Sequence, residues 1–318
     1  MDKQITYYIN CLTKLRRSQV NGGAPHKPVL LLSIIRLFEQ GAYFNSEIHI
    51  LPELVASFKN YWSALVTTNH HPIFALPFYH MSSEPFWKLL SNAGCEKWLQ
   101  SKGSMRSFLN LQTAVSCALI DKGLAQILLE SESRDLLKIT LLEKYFPDVN
   151  VSLTENDSDL PSGMMLQDNS ETYKRRILEL KNTLDHNTFQ EEVFVRSGIF
   201  KREIPKLYNN TCAISGFRID ATANISMVDA CHIVPFSEAY DDSISNGIAL
   251  CPNLHRAFDR GLISISEDYK VLLASNFMEN TNSNYSLQQF EGLPINLPVN
   301  QENYPSLENF KLQRERFG

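Results

Sequence analysis

Three side chains late in the chain, His232, Asn246 and His255, are of the types that hydrolysis of a phosphodiester requires. That reaction needs a base to deprotonate water, a cation to neutralise charge on the phosphoryl group, and a partner that holds the base in one tautomer. Fourteen residues lead from His232 to Asn246 and nine more to His255. Asp259 follows His255 by four positions, one turn on and on the same face if the segment is helical. A histidine, an asparagine and a histidine/carboxylate pair supply that set. Strict strand alternation puts Asp229 on the face of Cys231, so it reaches a metal only if a bulge or bend re-aims it. Taken singly these residues say little: a histidine before Ile-Val-Pro is commonly just satisfied or exposed, and Asn-Gly is a turn signal. Their weight comes from order and spacing together.

The elements that must hold these groups are legible around them. ISMVDACHIVP is β-prone, SEAYDDSISNG reads as a polar loop and IALC as a second strand. PNLHRAFDRG reads as a short helix begun by Pro252 and ended by Gly261. The product is a ββα unit with His232 at the end of the first strand, Asn246 in the loop and His255 on the helix. Cys212, Cys231 and Cys251 offer zinc binding with a nearby histidine as one reading, but they lack the paired spacing of zinc ligands and read rather as small buried residues.

The strings DACHIVPF and SNGIALCPNLHRAFDRG, with their spacing, resemble the HNH endonuclease family. The resemblance implies a ββα-metal domain cutting DNA, with His232 as general base, Asn246 orienting it or touching the metal, and His255 binding one divalent cation. That cation would be magnesium, with manganese an alternative, and the products a 5′-phosphate and a 3′-hydroxyl. In a common form of the family the residue before the base is an Asp or His ligand, where this chain has Cys231. Asp229 is then the first choice for the second ligand, since a carboxylate just upstream of the base is usual, and Asp259 the other. The same Cys231 motivates a rival from another class, a DNA-binding regulator with a degenerate centre.

Residues 24–147 resemble the sulfur-binding domain that precedes an HNH module in phosphorothioate-dependent type IV restriction endonucleases. The matching strings are APHKPVLLL, ALPFYHM and EPFWKL, followed by a helical tail to Lys144-Tyr145-Phe146-Pro147. By this resemblance Pro77 and Phe78, the first of two Pro-Phe pairs, belong to an apolar pocket. His26 and Lys27 would contact the modified phosphate at a helix N-terminus, which favours anions. Arg106 would be a second clamp, and Trp87 core. The physics fits: sulfur is larger, softer and a poorer acceptor than oxygen, so a donor-free apolar pocket penalises the hydrated oxygen more. Together the two resemblances imply restriction of marked double-stranded DNA as part of antiviral defence, with unmodified or base-methylated DNA as the rival substrate. A double-strand cut needs two sites, hence a homodimer.

The expected class is α+β in two domains: a mixed helical and short-strand DNA-reading module over 1–147 and a ββα-metal nuclease domain over 206–318. Residues 148–170 read as an acidic linker and 171–205 as a helical connector. Within the first module, 3–20 reads as an amphipathic helix and the run from Pro28 to Gly41 as a buried one. Phe74 to Leu89 reads as short strands and turns, and Met105 to Phe146 as helical. Length, with 43% hydrophobic and 20% charged residues, suits a soluble globular protein. The absence of a long apolar run argues against a membrane partner, and MDKQITYYIN lacks a signal-peptide pattern, so the expected location is cytoplasmic with reduced cysteines. Net charge is −5, against indiscriminate coating of nucleic acid, yet it divides as +5 over 1–110, −6 over 111–170 and −4 over 171–318. The first segment is the one suited to a phosphate backbone.

Overall fold

The computed structural model describes residues 3–99, 104–147, 166–219, 226–275, 277–279 and 285–317. Contacts divide the chain into two compact units, Met1–Ser158 with Leu184–Val195, and Asp159–Thr183 with Arg196–Gly318. Most of the expected linker, residues 148–165, lies outside the described residues.

The first unit contains α1 (Lys3–Thr13), α2 (His26–Glu39), α3 (Pro52–Leu65), α4 (Ala75–His80), α5 (Glu96–Leu99), α6 (Phe108–Ala114), α7 (Lys122–Leu129) and α8 (Ser131–Tyr145). Its strands β1 (Glu47–Ile48), β2 (Trp87–Ser91) and β3 (Val115–Ile120) form an antiparallel sheet in the order β1-β3-β2. α2 is buried along most of its length, as its unbroken apolar run requires. Pro28 sits in its first turn, where a missing N–H orphans nothing, and Gly41 just beyond its end takes φ +73°.

Three local expectations are corrected. α1 stops at Thr13, not near residue 20, because tertiary partners take the next backbone donors: Leu15 N–H donates to Tyr145 Oη and Arg16 N–H to Glu84. Residues 75–80 are helical, with Phe74, Ala75, Phe78 and Tyr79 turned into an aromatic core around Phe58, and strand begins only at Trp87. Within the run read as all helix, VSCALI is the central strand. It is buried at four of six positions, and a short buried run carries no periodicity that separates strand from helix.

The expected connector is two helices, α9 (Ser170–Thr183) and α10 (His186–Leu207), the latter passing from the first unit to the second after Val195. In the second unit β4 (Asp229–His232) pairs antiparallel with β5 (Gly247–Leu250), Asp229 opposite Leu250 and His232 opposite Gly247, with no register shift. The intervening loop holds a four-residue helix, α11 (Phe236–Ala239). α12 (Pro252–Asp259) follows β5, beginning at Pro252 and closing before Gly261 at φ +70°, so the ββα unit forms as expected. α12 buries Leu254, Ala257 and Phe258, which leaves His255 and Asp259 on its other side. The strands β6 (Ile263–Ile265) and β7 (Val271–Leu273) and helix α13 (Leu307–Phe317) complete the unit, Gln313 donating to the Ile263 carbonyl. Among the described residues no helix is long and apolar enough to cross a membrane.

Candidate functional site

His232 closes β4 with its ring held on two sides. Nε2 lies 2.8 Å from Oδ1 of Asp242, whose side chain is wholly buried. A carboxylate only accepts, so Nε2 carries a proton, and in the neutral ring the lone pair is on Nδ1. The ring face stacks on Phe200 of α10, 4.0 Å between centroids and 7° between planes. Gly247, opposite His232, leaves room for that helix: a Cβ there would stand 2.3 Å from Ile204 Cδ1 and 3.0 Å from Phe200 Cε2. The Asn-Gly pair that reads as a turn thus supplies a strand residue with no side chain.

Sequence reasoning missed Asp242, which sits in a stretch read as a solvated loop. Its second oxygen accepts from the Tyr173 hydroxyl at 3.4 Å, and burial pushes that phenol far up, with Asp242 adding to the shift, so it stays a donor. Neighbouring Asp241 accepts from Ser170 Oγ and, at 2.9 Å, from the Ser243 N–H. The only local signal was two adjacent carboxylates; the helix that buries them lies about seventy positions upstream.

Asn246 is fully buried and clasps the loop to itself. Oδ1 accepts from Val234 N–H at 2.9 Å, and Nδ2 donates to the carbonyls of Val234 and Asp241, both at 2.9 Å. Its amide so engaged, Asn246 ties Val234 to Asp241 across the loop that follows His232.

Beside His232, Cys231, His255 and Asp259 offer one ligand atom each, all within 4.8 Å of one another. His255 Nε2 is 3.4 Å from Asp259 Oδ2, and the Cys231 thiol points to Asp259 Oδ1 at 3.7 Å. Asp229 lies outside this trio and faces the other ring nitrogen of His255, Nδ1 to Oδ2 3.7 Å. β4 carries no bulge, so Asp229 keeps the face that alternation assigned it. Burial pushes the Cys231 thiol well above the ordinary range, Asp259 adding to it. Thiol, imidazole and carboxylate are a donor set for a divalent cation, with Asp229 placed to support His255 from behind.

In the first unit a cavity of about 920 Å³ is lined by His26, Lys27 and Pro77, which the sequence singled out, and by Arg16 and Arg17, which fall in the segment read as an amphipathic helix. Phe78 is not on that lining; it is fully buried against Phe74 and Trp87. Arg106 is exposed and also off the lining. His26 donates from Nε2 to the His71 carbonyl at 2.9 Å, and burial lowers its pKa to about 4, so it is neutral near pH 7. Lys27 is buried and paired with Glu84 and Ser83, and burial lowers its pKa. Its charge is therefore already answered, and the cations left for an anion are the two arginines. Arg17 is braced by the Ala24 carbonyl and stacks over Tyr145.

Residues 212–266 match the model of the HNH endonuclease family. Among solved structures, the chain is similar to one titled "Modification dependent TagI restriction endonuclease", at 21% identity, covering 37% of this chain and 36% of that one, with a TM-score of 0.29. The chain thus spans about a third of that protein's length. No curated protein matches the sequence.

Proposed function

We propose that the protein, which carries an HNH endonuclease domain over residues 212–266, is a modification-dependent DNA endonuclease that reads a phosphorothioate with its first unit and hydrolyses a nearby phosphodiester with its second. The observation that carries the cutting half is His232, with Nε2 tied to buried Asp242 and its ring fixed by Phe200. Nδ1 is then the atom that takes a proton from water, and Asp242 stabilises the imidazolium so formed. Asn246 keeps the loop shut around this pair. Cys231, His255 and Asp259 would hold a divalent cation, which when bound neutralises charge on the phosphoryl oxygens. The family resemblance implies magnesium, or manganese in its place.

The reading half rests on the first-unit cavity. Arg16 and Arg17 draw a phosphate backbone, while Pro77 and neutral His26 at the start of α2 offer little to a hydrated oxygen. Cutting both strands calls for two copies of the chain. The test compares one duplex with and without a phosphorothioate at one position, measuring binding and cleavage in magnesium and in manganese. Preferential binding and cutting of the sulfur-bearing duplex is expected. Equal cutting of both would refute the sulfur requirement and favour unmodified or base-methylated DNA.

A further inference from the structure

Cys231 is fully buried, which a small core residue would also be. Its sulfur, however, has a carboxylate as well as a carbonyl within reach: Sγ lies 3.5 Å from the His232 carbonyl oxygen and 3.7 Å from Asp259 Oδ1, and Cys231 and Asp259 belong to the trio completed by His255. An apolar filler has no reason to meet a half-exposed carboxylate. The spacing is that of a ligand set slightly open. In a tetrahedral zinc site, bonds of about 2.3 Å to sulfur and about 2.0–2.1 Å to nitrogen and oxygen place ligand atoms roughly 3.3–3.6 Å apart. The separations of 3.4 Å from His255 Nε2 to Asp259 Oδ2 and 3.7 Å from Cys231 Sγ to its Oδ1 are near that, and one ligand atom from each of the three residues lies within 4.8 Å of the others. Three protein ligands leave a fourth position for water or substrate, as in catalytic sites, and Asp229 facing His255 Nδ1 at 3.7 Å sits where a supporting carboxylate fixes the ring.

Magnesium selects oxygen ligands in octahedral geometry and gains little from sulfur, whereas thiolate and imidazole favour zinc, cobalt and nickel. We propose that this centre is built for a thiophilic divalent cation of the zinc, cobalt or nickel kind, with Cys231 as thiolate ligand beside His255 Nε2 and Asp259. The proposal rests on the HNH reading of this site. On binding, the sulfur lone pair forms the metal bond and the thiol proton leaves to solvent.

The test uses the full chain, stripped with chelator and titrated with cobalt(II). Wild type is expected to show the visible bands of tetrahedral cobalt and a near-ultraviolet sulfur-to-cobalt charge-transfer band. Zinc should displace the cobalt, and millimolar magnesium should not. Cys231→Ser should lose the charge-transfer band and at least about 100-fold in affinity, more than loss of a supporting group costs. The other thiol pair, Cys212 and Cys251, hydrogen-bonded to each other, serves as control: Cys212→Ser/Cys251→Ser should keep the band. Should Cys231→Ser fold poorly, Cys231→Asp is expected to bind cobalt without the band and to accept magnesium in competition. No band in wild type, a band that survives in Cys231→Ser, or displacement by magnesium would overturn the proposal. Cleavage is scored separately: cutting in magnesium with no band defeats the thiolate assignment alone, while the band without cutting in any of these ions upholds it and defeats the nuclease reading.

Discussion

Exchanging Asp242 for asparagine isolates the group that defines the proton position on His232. The swap keeps shape and removes a buried charge whose Oδ1 lies 2.8 Å from Nε2. An amide can turn its NH₂ toward Nε2, which moves the proton to Nδ1 and abolishes the lone pair needed for water. General-base assistance contributes about 10²–10⁴-fold, and the same exchange in a serine–histidine–aspartate triad costs ~10⁴. At about 1.36 kcal/mol per decade, Asp242→Asn should raise the barrier by ~3–5 kcal/mol. The assay is single-turnover nicking of a phosphorothioate-bearing duplex at saturating cation, alongside DNA affinity and a thermal melt. A rate loss of about 10²–10⁴-fold with binding and melting little changed is expected. A rate within about threefold of wild type, under 1 kcal/mol, would refute the tautomer argument and leave Asp242 a packing residue.

Asn246→Ala leaves three backbone groups of the base loop without their partner, at about 1–3 kcal/mol each if water does not replace it, so both melting temperature and nicking rate should fall. Gly247→Ala drives a methyl into Ile204 and Phe200; a loss of about 1–3 kcal/mol by denaturant titration is expected, and unchanged stability would contradict the packing described. Lys27→Met strands the buried Glu84 carboxylate and should cost roughly 3–5 kcal/mol, largely recovered by adding Glu84→Gln. Glu191, buried beside Lys59, has its pKa raised by burial to about 7. A folded-state value above the unfolded one means the native state holds the extra proton, so stability should fall as pH rises from about 4.5 to 7. Glu191→Gln should flatten that slope in melts taken across the window.

What could be read from sequence alone was whatever local chemistry decides. Pro252, the alternation around Cys231 and the i, i+4 step from His255 to Asp259 fixed a strand, a helix and a shared face, and all three stand in the structure. α2 was legible for the same reason, a proline in its first turn and a glycine after its last. What escaped was set by partners distant in the chain. Asp242 looks solvated until Tyr173 of α9 covers it, and Phe200 has no local reason to meet His232. VSCALI is a strand because two others flank it. Arg16 and Arg17 reach the cavity only because Glu84 and Tyr145 capture the backbone after α1 and end the helix early. Lys27, which the resemblance makes a phosphate contact, lines the cavity but is paired with Glu84, a partner fifty-seven positions on that its own segment does not announce.

The most direct measurement is of DNA ends and their dependence on one side chain. Purified protein with a divalent cation should nick a phosphorothioate-bearing duplex to give a 5′-phosphate and a 3′-hydroxyl. Chelator should abolish the nicking, and His232→Ala should lower the rate by about 10²–10⁴-fold without loss of DNA binding. Cutting that persists in chelator, or His232→Ala cutting at the wild-type rate, would contradict the assignment of His232 as the base.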